Sequence, residues 1–269
     1  EGMYLQYKES IRKEVTPARL RALLKLVTRG HYTRNELENL LQPNSLNKAG
    51  SSEFRMIYNF AMATGLIIEE ENKYIKLNIG KDIVFDEYQY KNKIIEILLG
   101  DREGLFFKMT SWALKQEKNI IKLERARDLV INMNNDNIDA RDEDILAWKI
   151  WFKYLGYGYN LQNEYIIPNP FKRLGDLIEN ELEFNNKDRI TIREFSEELV
   201  LKAPEFKESI KGNNLSCPLS LGLRVLDEQE EIELIYARDT RDIWHLYNME
   251  NQILNDISHM RISPAKNCQ

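Results

Sequence analysis

TGLIIEEENKYIKL, residues 64–77, is the stretch whose reading decides the fold. Gly65 is placed to stop a helix in the left-handed conformation that a Cβ disfavours. Leu66, Ile67 and Ile68 are aliphatic and mostly β-branched, and Glu69, Glu70, Glu71, Asn72 and Lys73 make a polar tip. Tyr74, Ile75, Lys76 and Leu77 then alternate apolar and polar, as a half-buried strand does. A helix that runs directly into one small hairpin interrupts an otherwise helical chain, and the sequence leads one to expect this three times.

Working outward, Thr16-Pro17 marks a helix start, a hydroxyl N-cap followed by proline at the first helical position. Leu20, Leu23, Leu24 and Val27 follow at helical spacing, and Gly30 ends the run. Thr33-Arg34-Asn35-Glu36 is a capping box that opens a short helix through Leu37, Leu40 and Leu41, closed near Pro43. Ser51 or Ser52 caps a third helix whose apolar face is Phe54, Ile57, Tyr58 and Ala61.

The second unit has helices over 105–116 and 122–133 and a third from Asp142 to Gly156. A strand, polar tip and strand cut by Pro168 follow it. The third unit has a helix over 171–183, a strand-like Ile190 and a second capping box, Thr191-Ile192-Arg193-Glu194. A helix from Pro218 then leads into a hairpin over 232–247. The expected fold class is mainly α with small β-hairpins (α+β), built as tandem winged helices. The expected domains are 4–80, then 81–168 including a connecting helix Tyr88–Leu99, then 169–260. Residues 1–3 read as a cloning remnant.

A net charge of −5 lacks the overall basic signature of a nucleic-acid coat protein. The charge is uneven: residues 1–60 carry ten Lys or Arg against six Asp or Glu, and residues 179–250 nine against seventeen. No apolar run approaches the roughly 20 residues of a membrane span, and no secretory signal opens the chain. A cytoplasmic location is expected, with Cys217 and Cys268 as free thiols rather than a bridge.

His31, His245 and His259 show no metal-ligand spacing with Cys or carboxylate. There is no phosphate-cradling glycine loop, and consecutive acids such as Asp142-Glu143-Asp144 diverge rather than converge. The expectation is no catalysis, no metal and no cofactor.

Binding is what the residues support. On the third helix of unit one, Ser52, Arg55 and Asn59 share the side opposite Phe54, Ile57 and Ala61. Arg can grip guanine, Asn adenine, and Ser phosphate. Ser51 stands beside Ser52, Lys48 precedes the helix and Lys73 flanks the wing. In unit three, Arg238 and Arg241 lie on the expected hairpin tip and Arg224 on the helix before it. Trp148 and Trp151 in unit two read as core, beside Lys149 and Lys153.

The order of helix, capping box, helix and a hairpin returning through IELIYARDTRDIWHL resembles tandem winged-helix DNA-binding proteins of bacterial DNA-modification and phage-defence systems. Within that group it resembles the DpdG component of deazapurine-in-DNA clusters. The resemblance implies a non-catalytic accessory protein on double-stranded DNA, and the acidic charge of the C-terminal third points to a protein partner met there. Two alternatives stand beside it: an interaction scaffold in a multi-protein complex, and a transcriptional regulator. Association with a second copy is compatible with all three.

Overall fold

The computed structural model describes residues 12–43, 53–117, 121–122, 126–161, 165–184, 189–237, 240, 242–248 and 254–262. These fall into two compact units. One holds the residues up to Phe107 with Leu129–Tyr154, and the other holds Lys108–Asp128 with the residues from Leu155 on. The first and third expected repeats each lie within one unit, and the elements of the middle repeat are divided between both.

In the first unit, Thr16 accepts the Arg19 amide and Pro17 takes the first helical position of α1 (Pro17–Val27). α1 buries Leu20, Leu23, Leu24 and Val27. β1 (Tyr32–Thr33) leads without a break into α2 (Arg34–Leu41). Thr33 is both the last strand residue and the N-cap. Its Oγ1 accepts from the Glu36 amide, and the Glu36 carboxylate accepts from the Thr33 amide at 2.7 Å. That backbone bond, with the Thr33 hydroxyl, holds the Glu36 carboxyl below its ordinary value.

α3 (Glu53–Ala63) buries Phe54, Ile57, Tyr58, Phe60 and Ala61, and Gly65 turns the chain at φ +70°. The hairpin of β2 (Ile67–Glu69) and β3 (Tyr74–Leu77) pairs Ile67 with Leu77 and Glu69 with Ile75. β1 adds to the free side of β3, Tyr32 opposite Ile75, so the sheet order is β1-β3-β2.

α4 (Lys81–Phe85) and α5 (Glu87–Leu99) follow, the latter being the expected connecting helix. Next in the chain come α6 (Leu105–Leu114), β4 (Ile121–Lys122), α7 (Ala126–Asn135) and α8 (Asp142–Tyr154). Within the first unit α8 is bound to the start of α1 and of α5. The Trp151 indole donates to the Val15 carbonyl at 2.8 Å, and the Tyr154 hydroxyl donates to Glu87 at 2.8 Å. Trp148 and Trp151 are buried core, as their spacing predicts.

In the second unit, β4 pairs with β6 (Tyr165–Pro168), which pairs with β5 (Gly158–Leu161). Then come α9 (Phe171–Asn180), β7 (Arg189–Thr191) and α10 (Ile192–Lys202), with Thr191 and Glu194 repeating the capping box. A 3-10 turn (Pro204–Ser209) and a hairpin of β8 (Ile210–Lys211) and β9 (Asn214–Leu215) precede α11 (Cys217–Glu228). The chain ends its described course in β10 (Ile232–Ile235), β11 (Trp244–His245), β12 (Asp256–Ile257) and β13 (His259–Ile262). The last principal sheet is ordered β10-β13-β7.

Twice the chain runs helix, strand, helix, helix, strand, strand, and the third repeat follows the same order with β8 and β9 inserted before its third helix and β11 and β12 before its last strand. Each time, these insertions aside, the first strand pairs with the third and the third with the second.

Two expectations are corrected. Lys122 lies in β4 rather than opening a helix. The hairpin expected over 232–247 does not form: β10 pairs instead with β13, Leu234 opposite Met260. Alternation identifies a half-buried strand without naming its partner, and Trp244 is buried in a different sheet, ordered β12-β11-β9-β8.

A polar cluster sits in the core of the second unit. The Tyr157 hydroxyl donates to Glu205 at 2.5 Å, and Arg173 pairs with Glu181 at 2.8 Å. Tyr157, Arg173 and Glu205 are all buried. Burial pushes the Glu205 carboxyl up, while Arg173 and the Tyr157 hydroxyl pull it back part of the way. Tyr157→Phe deletes a donor from this closed site. It is expected to lower unfolding free energy by about 1–3 kcal/mol, read as an earlier urea midpoint at unchanged slope.

Candidate nucleic-acid interface

The three repeats each present a third helix, and the three have different surroundings. On α3, Arg55 is exposed while Met56, Asn59 and Met62 are half-buried, opposite the buried Phe54, Ile57 and Ala61. Arg55 and Asn59 thus share an open face one turn apart. Gln42 contributes to the helix start, its side-chain oxygen accepting from the Phe54 amide at 3.0 Å. Lys48, Ser51 and Ser52 lie outside the described residues.

Two of the acids near this face are paired, while Glu71 stands exposed at the hairpin tip. Glu53 meets Arg19 at 2.9 Å, and Glu70 meets Lys76 at 2.7 Å. Glu69 accepts from the Tyr58 hydroxyl at 3.4 Å, and the Arg34 guanidinium sits 5.0 Å from the centre of the Tyr58 ring. Burial and the neighbouring Glu69 push the Tyr58 hydroxyl up, so it stays a donor. Arg55 and Lys73 have no ion pair among the described residues. Lys73 closes the hairpin turn at φ +66°, a conformation ordinarily left to Gly or Asn. Its amide bonds the Glu70 carbonyl at 2.8 Å, and its side chain stands exposed at the tip.

α8 is used differently. Its start carries Asp142 in solvent and Glu143 exposed but paired with Arg12 at 2.8 Å, and Asp144 is buried against Arg141. Trp148, Trp151 and Phe152 are inside. Lys153 is exposed, and burial draws the half-buried Lys149 ammonium below its ordinary value.

α11 is closed on nearly every side. Arg224, expected to face DNA, is buried. Its guanidinium donates to the carbonyls of Tyr247 and Leu254 at 2.8 Å and to the Asn255 side chain at 3.0 Å. One turn earlier, Ser220 accepts from the Tyr247 amide at 2.8 Å. Gly222 lets α9 approach, since a Cβ there would meet the Phe171 amide nitrogen at 3.3 Å and Leu174 at 2.8 Å. Burial lowers the Arg224 guanidinium, yet it carries its charge inward to carbonyl oxygens rather than outward to phosphate. Arg238 and Arg241 lie outside the described residues.

The residues that cover α11 come from the chain between β10 and β13, which has no regular hydrophobic period to announce it. The pairing of Glu53 by Arg19 was equally invisible, because it joins two helices far apart in sequence. The histidines have local neighbours: His31 lies edge-on to Tyr74, His245 pairs with Asp256, and His259 bonds Ser258. Cys217 is a free thiol in the core, pushed up to about 11 by burial. Among the described residues, no three His, Cys, Asp or Glu side chains are grouped to hold a metal ion. No described helix is long and apolar enough to cross a membrane.

A family model described as DpdG-like matches residues 11–240, most of the chain, and the chain belongs to that family. No curated protein and no solved structure matches it.

The two arginines differ in a way that stability measurements resolve. Arg224→Ala strands buried carbonyls and opens a cavity, and is expected to cost about 3 kcal/mol or more. Arg55→Ala removes an exposed side chain and is expected to change stability by no more than about 0.5 kcal/mol. Urea denaturation of the two variants beside the parent checks both.

Proposed function

We propose that this member of the DpdG-like family is a non-catalytic duplex-DNA-binding component of a DNA-modification or phage-defence system, and that its first repeat is the winged helix that meets DNA. The observation that carries the reading is the contrast among the three third helices. Only α3 keeps an Arg and an Asn side by side on an open face, while α8 starts with exposed acids and α11 is covered by its own chain.

In this reading α3 enters the major groove, where Arg55 reaches the O6 and N7 edge of a guanine and Asn59 the N6 and N7 edge of an adenine. Met56 and Met62 flank them as adaptable apolar contacts, suited to a thymine methyl. Lys73 at the wing tip meets phosphate and sets orientation. The local pairing of Glu53 and Glu70 removes much of the repulsion that their charge would otherwise exert on phosphate. The expected metal-free, cofactor-free and non-enzymatic character belongs to the same proposal.

A second reading, an interaction scaffold, is favoured by the closed α11 and the acidic third repeat. The two readings are compatible if the first repeat holds DNA and the third holds a protein.

Fluorescence anisotropy on labelled random duplex, across a salt series, tests the DNA reading. Binding is expected at low salt, weakening steeply as salt rises. Arg55→Ala is expected to weaken binding by about 1–3 kcal/mol if it reads a base edge. Lys73→Ala is expected to weaken binding evenly across sequences and to make the salt slope shallower by about one. No binding at low salt leaves the scaffold reading.

A further inference from the structure

Arg34 is the first residue of α2, directly behind the capping Thr33, and its side chain is exposed. That is the unfavourable end of a helix for a cation, because the aligned amide dipoles already place positive charge there. No acid offsets it. Among the described residues the Arg34 side chain has neither an ion pair nor a hydrogen-bond acceptor. Glu36 is engaged by the Thr33 amide and hydroxyl, and Glu69 by the Tyr58 hydroxyl. A residue that breaks a local rule without a compensating contact marks a place with another task.

A second observation fixes where this guanidinium stands. It lies 5.0 Å from the centre of the Tyr58 ring, and Tyr58 is itself held, buried in α3 with its hydroxyl donating to Glu69 of β2. Support from a ring leaves the N–H groups, which lie in the guanidinium plane, free for another acceptor. Arg21 supplies the contrast within the same unit. It sits 5.1 Å from the Tyr90 ring, but it gives its N–H groups to the Val84 and Phe85 carbonyls and to Glu87. Arg34 has the same kind of ring support and keeps its donors unused.

Tyr58 is three positions after Arg55 and next to Asn59. It therefore borders the open face of α3, since residues three apart are neighbours on a helix. Through Tyr58, Arg34 is anchored at the rim of the face that carries Arg55 and Asn59. A pre-positioned guanidinium with free in-plane donors matches a phosphate, which it can hold through two parallel bonds. Resting on the reading that α3 meets duplex DNA, we propose that Arg34 is a backbone clamp that grips a phosphate beside the groove α3 enters. The contact carries no sequence information of its own. It fixes the register in which Arg55 meets a base edge.

The test is anisotropy of the full chain on two labelled duplexes of unrelated sequence, over a salt series, for Arg34→Ala, Arg34→Lys and Arg55→Ala. Arg34→Ala is expected to weaken binding to both duplexes by about tenfold at low salt and to make the salt slope shallower by about one. Arg34→Lys, which keeps the charge, is expected to recover the parent's slope. A role confined to the fold predicts instead a lower urea midpoint for Arg34→Ala with both salt slopes unchanged. That result overturns the clamp, and weakened binding by Arg55→Ala in the same series still leaves α3 as the DNA helix. A loss confined to one duplex makes Arg34 a base reader and overturns the clamp as well. Weakening by Arg34→Ala beside normal binding by Arg55→Ala keeps the clamp and removes the base contact. A parent chain that binds neither duplex at low salt removes the DNA reading, and the clamp with it.

Discussion

A threonine that ends a strand and caps the helix behind it fixes the geometry of the first and third repeats. Thr33 and Thr191 each give an amide to a glutamate three residues on and take that glutamate's amide in return. The exchange satisfies donors that a helix start otherwise leaves open. It also rigidly joins a two- or three-residue strand, too short to be stable alone, to a helix. That strand then pairs with the last strand of its repeat and ties the two-stranded pair, β2–β3 or β10–β13, back to the helices. Without the cap the strand pair would be a two-stranded flap, and the third helix would have no fixed relation to it.

On this shared plan the three repeats diverge at the third helix. α3 keeps one face for the core and leaves Arg55 and Asn59 outside. α8 turns Trp151 and Tyr154 into bonds within the first unit. α11 is enclosed by residues 242–248 and 254–257, held by Arg224 and Ser220. The sheet that encloses it is assembled from two additions to the repeat, the β8–β9 hairpin and the strands β11 and β12. Its parallel join is at Asn214 and His245. A buried guanidinium with three carbonyl-type acceptors is hard to remove without unfolding what surrounds it, so the closure of α11 is a standing property of the fold.

Much of the fold was legible from local chemistry. The two capping boxes, the glycine at 65, the Thr16-Pro17 start and the hairpins near 66–77 and 157–167 each depend on residues within a few positions of one another. Periodicity placed Trp148 and Trp151 inside for the same reason. What was not legible depends on contacts between distant residues. Strands as short as β1 and β4 have no period to detect. β10 was matched to the nearest alternating segment, whereas its partner β13 comes about two dozen positions later. The candidate site divides along the same line. Arg55 faces outward because its helical neighbours are apolar, which sequence shows. Arg224 faces inward because Tyr247, Leu254 and Asn255 return to it, which sequence does not show.

The proposed function has α3 meet DNA, and hydrogen–deuterium exchange with and without duplex DNA measures that directly. The expected result is slowed exchange in peptides covering α3 and the β2–β3 hairpin on adding DNA, with peptides covering α11 already protected and unchanged. Protection that appears on α11, or a DNA complex that leaves α3 and its hairpin exchanging as in the free protein, would contradict it.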